Sequence, residues 1–119
     1  MNYLLIFAAM TLSGAVKANQ VFIEGFPDVP LLAGIEEHSG DRVVFDVPSG
    51  TVAETAIRAQ ESGGNVLDAY AKELPVFGWK CDRVPQGMRC LREKNVLVFL
   101  DQAPAASEAL IILRLEPAS

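Results

Sequence analysis

Trp79-Lys80-Cys81-Asp82-Arg83-Val84-Pro85-Gln86-Gly87-Met88-Arg89-Cys90-Leu91-Arg92 carries both cysteines of the chain around one turn. Val84-Pro85-Gln86-Gly87 is turn text, because Pro presets one backbone angle and Gly tolerates conformations other residues avoid. With Arg83 and Met88 closing the turn as partners, counting outward in antiparallel register brings Cys81 opposite Cys90. Opposed strand residues lie about 4.5–5.5 Å apart between Cα atoms, a span that a disulfide accepts. In an oxidising compartment an even cysteine count favours a bridge. Two buried thiols are the alternative. A zinc site asks for four ligands, and His38 is the single histidine. A redox pair usually shows C-x-x-C, whereas eight residues separate these two.

Downstream of the hairpin the text stays extended, with strands expected at Asn95 to Asp101 and Ala109 to Leu115 after the segments Trp79 to Val84 and Met88 to Arg92. Val96-Leu97-Val98-Phe99-Leu100 lacks polar alternation, the signature of a central strand covered on both faces. A helix is expected on one side, and the N-terminal arm or a partner on the other.

Upstream, Val66, Leu67, Tyr70 and Leu74 recur at helical spacing, with Asp68, Lys72 and Glu73 toward the other side. Asn65 is the expected cap of this amphipathic helix. Pro75 ends or kinks it, and Gly78 supplies the positive φ of a C-terminal cap. Before it, Arg42 to Val47 and Thr51 to Ala59 flank Pro48-Ser49-Gly50 and read as a hairpin, although the Ala content of Val52 to Ala59 also suits a helix. The expected order is β-β-α-β-β-β-β, an α+β domain with one amphipathic helix packed on a mainly antiparallel sheet of about six strands.

Residues 1–18 read as an export signal. Tyr3 to Val16 is apolar or small throughout, and Val16-Lys17-Ala18 presents the small-x-small pattern that signal peptidase accepts. Met1-Asn2 carries no Lys or Arg, and the run stops short of the roughly 20 residues a membrane span needs. Retention as an anchor is the alternative to cleavage; after cleavage no membrane span is expected. Leu12-Ser13-Gly14 opens like a lipoprotein box, but Ala15 stands where the lipidated Cys would be. Residues 19–40 then form an extended, Pro- and Gly-punctuated arm expected to pack along a single domain over residues 41–117. Nine of the ten basic and all fifteen acidic residues follow Ala18, leaving a net charge of about −6. That sign disfavours nucleic acid, whose binding needs a basic stripe.

Val44-Phe45-Asp46-Val47-Pro48-Ser49-Gly50, Leu74-Pro75-Val76-Phe77-Gly78-Trp79 and Leu91-Arg92-Glu93-Lys94-Asn95-Val96-Leu97 resemble a family of small, exported, uncharacterised proteobacterial proteins. Its members place a strand hairpin before a helix ending in Leu-Pro-x-x-Gly-Trp, then a sheet with an Arg-Glu turn. The resemblance spans most of Asp28 to Pro117 and implies a fold and an address, periplasmic or secreted, without a reaction.

Chemistry-bearing constellations are thin. His38 sits in Glu36-Glu37-His38-Ser39-Gly40-Asp41 without a G-x-S-x-G elbow or an HExxH helix. The carboxylate pairs Glu36 with Glu37 and Asp46 with Glu54 read as solvated charge, and Gly63-Gly64 as a turn. Tyr70, Phe77 and Trp79 either form a surface platform for a ligand or partner or are core. No catalytic set, metal or cofactor is expected. The leading expectation is a non-enzymatic exported protein acting through protein contacts, with an envelope protein as partner. The runner-up is a binder of a small apolar or carbohydrate ligand beside Tyr70, Phe77 and Trp79.

Overall fold

A computed structural model of the chain describes residues 20–118; the expected export signal lies outside them. Among the described residues the strands are β1 Ile35–Glu37, β2 Val43–Val47, β3 Gly50–Ala59, β4 Lys80–Val84, β5 Gly87–Arg92, β6 Asn95–Asp101 and β7 Ala109–Pro117, with one α-helix, α1, at Gly63–Glu73. All pairings are antiparallel, in the order β1-β3-β7-β6-β5-β4, with β2 also on β3. This is the expected α+β architecture with one strand more than the expected six. The additional strand is β1, at the end of the N-terminal arm. β1 and β2 lie end to end along the same margin of β3, interrupted by a 3-10 turn at Ser39–Asp41.

The hairpin that anchors the reading forms in the expected register. Cys81 is opposite Cys90 and Arg83 opposite Met88, and pairing continues to Val84 and Gly87, so that only Pro85 and Gln86 remain unpaired. The disulfide Cys81–Cys90 joins Cα atoms 4.0 Å apart. A Cβ at Gly87 would overlap the Phe99 carbonyl of the neighbouring strand, so close approach selects glycine there.

Val52 to Ala59 is strand throughout. Its local Ala content is overridden because β3 is paired on both margins, with β7 over Ala53 to Ala59 and with β1 and β2 on the other side. From β3 the chain crosses the sheet as α1 and returns through the β4-β5-β6-β7 meander. The helix begins earlier than expected. Ser62, not Asn65, is the N-cap, its side chain accepting from the Asn65 amide at 3.2 Å. Pro75 falls in a closing 3-10 turn, Leu74–Phe77, and Gly78 at φ 93° ends it as expected.

Register decides which residues meet the helix. Odd-numbered residues of β3, β6 and β7 and the even-numbered ones of β5 face α1: Ile57, Leu97, Phe99, Ile111, Leu113, Leu115, Met88 and Cys90 are all buried there. Val66, Leu67, Tyr70 and Leu74 supply the helix stripe. The arm closes the same side of the sheet. It does not run extended but folds back on itself, the Ile23 amide donating to the Val29 carbonyl and the Leu31 amide to that of Val21. Ile23, Phe26 and Val29 thereby enter the core, and the Tyr70 hydroxyl donates to the Pro30 carbonyl at 2.7 Å.

Candidate functional site

Of the three aromatics singled out in the sequence, the structure places two inside. Tyr70 and Trp79 are fully buried, and Phe77 is partly buried with its ring edge-on to Phe22 at 5.5 Å. Tyr70 packs against Phe99 at 5.1 Å. Burial pushes its phenol well above the ordinary tyrosine range, because the phenolate would be stranded away from water. Trp79 is roofed by the Arg92 guanidinium 4.8 Å from the ring centroid. Arg92 Nη1 in turn donates to the Phe77 carbonyl at 2.9 Å and to Asp28 at 2.8 Å, tying arm, helix end and sheet together. The three residues make a packed junction, not a crevice. Surface depressions of about 580, 450, 380 and 180 Å³ lie elsewhere and none is lined by them.

The titratable residues do not converge either. His38 is exposed, its Nδ1 3.7 Å from Asp41. Glu36 and Glu37 are successive strand residues and face opposite sides. Asp46 and Glu54 also part company. Asp46 is opposite Thr51, on the helix side, whereas Glu54 turns to the other face and pairs with Arg114 at 3.1 Å. Glu37 is a structural anchor. Arg42 grips it with two hydrogen bonds of 2.8 and 2.9 Å and the Thr55 hydroxyl donates at 2.7 Å, which hold its carboxyl below the usual range against the opposing effect of burial. Among the described residues no group of three or more His, Cys, Asp or Glu side chains could hold a metal ion.

The surface that stands out is the face of the sheet opposite α1. Two of the strips that run across it are of unlike character. One is apolar on successive strands: Ala56, Ile112, Leu100 and Val84, with Gly87 between the last two. The next alternates, with Glu54 beside Arg114, then Val98, then Arg89 opposite Asp82, so that each charge has an opposite neighbour. Leu91, Val43 and Phe45 extend the apolar area toward both margins at 41%, 53% and 50% exposure. An antiparallel sheet with one solvated side normally shows polar residues there. This face departs from that rule, and one of its cross-strand charge pairs, Glu54 with Arg114, is closed as an ion pair at 3.1 Å.

Only part of this surface is legible in the sequence. The unbroken Val96–Leu100 run indicates a strand needing cover on both sides, and the structure supplies it on one: α1 and the arm lie on the same side, so the arm does not shield the other. The alternation of Leu110 and Ile112 with buried Ile111 and Leu113 is the remaining signal, visible only once β7 is placed between β3 and β6.

In comparisons with known proteins, no family model, no curated protein and no solved structure matches this chain. The chain is therefore characterised by its own geometry: a disulfide-bonded α+β domain in which, among the described residues, no helix is long and apolar enough to cross a membrane.

Proposed function

We propose that the chain is a small exported, non-enzymatic protein that acts through protein contacts, and that the helix-free face of its sheet is the contacting surface. The observation that carries this reading is the half-buried apolar strip Ile112, Leu100 and Val84, continuing from buried Ala56 and lying beside exposed Leu91, on a face that neither α1 nor the arm covers. Large contiguous apolar areas on a protein surface mark places where another molecule seats. Neutralised cross-strand charges lower the cost of covering the face, since Glu54 and Arg114 enter the contact already paired. Export is supported by the apolar leader of residues 1–18, by the disulfide, and by the resemblance to small exported proteins. An envelope protein is the expected partner.

Photo-activated cross-linkers placed singly at Leu91 and Val98, with Lys72 on the exposed side of α1 as a control, test the assignment in intact cells. One discrete adduct common to Leu91 and Val98, absent at Lys72 and lost on Ile112→Lys, is the expected result. Adducts of equal pattern at all three positions would overturn it.

A further inference from the structure

The two margins of the sheet are built differently. β4 carries Lys80, Asp82 and Arg83 within five residues and is tied inward through Cys81; charged side chains on an edge strand discourage a further strand from pairing. β2, at the opposite margin, reads Val43-Val44-Phe45-Asp46-Val47 and exposes Val43, Val44 and Phe45 by 46–53%. It has no Pro, no Lys and no bulge within the strand. Its hydrogen-bond parity follows from register. Even-numbered residues of β3 direct their backbone groups toward this margin, as the His38 amide on the Ala56 carbonyl shows. Val43, Phe45 and Val47 oppose Glu54, Val52 and Gly50 and so bond inward. Val44 and Asp46 present N–H and C=O outward, where no backbone partner lies among the described residues.

We propose that β2 of a second copy of this chain occupies that margin, antiparallel, about a two-fold axis at Val44. In this register Val44 meets its own equivalent as a hydrogen-bonded pair, each Val43 lies opposite the second copy's Phe45, and each Arg42 lies opposite its Asp46. Aromatic with β-branched residues, and opposite charges, are the favourable cross-strand neighbours. Competing registers do worse. An axis at Phe45 sets Asp46 against Val44, an axis at Asp46 sets two carboxylates face to face, and a one-residue slip turns each side chain to the wrong side. Arg42 already holds Glu37, but its Nη1 contact is with Glu24, which is 84% exposed. Such surface pairs contribute little, so an incoming Asp46 carboxylate can take that place. Pairing would also make the helix-free face continuous across both copies, because Val43, Phe45 and Val47 lie on it. A five-residue strand contact buries less than the roughly 1,000 Å² of a stable interface, so the dimer is reversible. This inference does not rest on the contact assigned to the sheet face.

Sedimentation equilibrium of the full chain over a concentration series tests it. A reversible monomer–dimer equilibrium is expected for the natural sequence. Val44→Pro deletes an outward N–H and no bond of the β2–β3 ladder, while also removing the Val44 side chain from beside Gly25, and Asp46→Lys places like charges at both ends of the pairing; each is expected to weaken the dimer at least tenfold while the far-ultraviolet circular dichroism of the monomer is retained. Mixing Val43→Cys with Phe45→Cys under mild oxidation should give a mixed disulfide in several-fold excess over either homodisulfide. A natural chain that stays monomeric at every concentration, a dimer indifferent to both Val44→Pro and Asp46→Lys, or a strand from a different protein seated on β2 would each overturn the proposal.

Discussion

Removing the Cys81–Cys90 bridge isolates how much of this fold depends on a covalent tie. The cysteines are nine residues apart in sequence, and a loop of that size costs about 2.5–3 kcal/mol less to close when it is pre-formed in the unfolded chain. Beyond its ladder with β5, the hairpin is held by a two-residue turn, by Arg83 Nε donating to the Gly87 carbonyl at 3.4 Å and by one exposed ion pair from Arg83 to Asp68 on α1, a contact of small value. Nothing else on β4 compensates, because β4 is an edge strand with β5 as its single pairing partner. Buried Cys90 adds a packing contribution that Cys81→Ala/Cys90→Ala would also remove. The assay is therefore urea unfolding of three samples: oxidised protein, reduced protein and the double alanine variant. With a slope of about 1–3 kcal/mol per molar, reduction should lower the midpoint by roughly 0.8–3 M, and the alanine variant should fall further by the lost sulfur packing. A reduced protein whose midpoint coincides with the oxidised one would show that the unfolded hairpin is already restrained without the bond.

Two further outcomes follow from the junctions between the arm and the sheet. Glu37 has a folded-state pKa below its unfolded value, so its stabilisation is fully present above about pH 4.5 and is lost as pH falls through the folded value. Glu37→Gln should accordingly lower the melting temperature near neutral pH, with the gap to the natural protein shrinking in acid; a gap independent of pH would contradict the role assigned to the Arg42–Glu37–Thr55 cluster. Tyr70→Phe deletes the hydroxyl that serves the buried Pro30 carbonyl, at a cost of about 1–3 kcal/mol. Hydrogen exchange should show the loss first at the arm amides of Ile23 and Leu31, and uniform acceleration across the sheet would argue against a local tie.

How much could be read in advance depended on the range of the interaction. Cys81 opposite Cys90, the Gly78 cap and the β5-to-β7 strands were accessible because turn chemistry and alternation act within a few residues. The helix cap was misplaced by three residues because Ser62 and Asn65 are both competent caps and local text does not rank them. Aromatics of this size are more often core than platform, and the structure buries Tyr70 and Trp79; what covers them, the arm at Tyr70 and Arg92 at Trp79, is announced by no periodicity.

A disulfide-closed hairpin, one amphipathic helix and an α+β domain are written in local text, since each rests on contacts between near neighbours in the chain. Tertiary structure alone decided which side of the sheet is left open and which margin is left unpaired. The pairing of β3 with β7 joins residues fifty or more apart, and the choice of side for α1 and the arm is made by burial of the whole stripe at once. A half-buried apolar strip on the helix-free face is thus the remainder after the core is assembled, and its position depends on the completed sheet more than on any one segment.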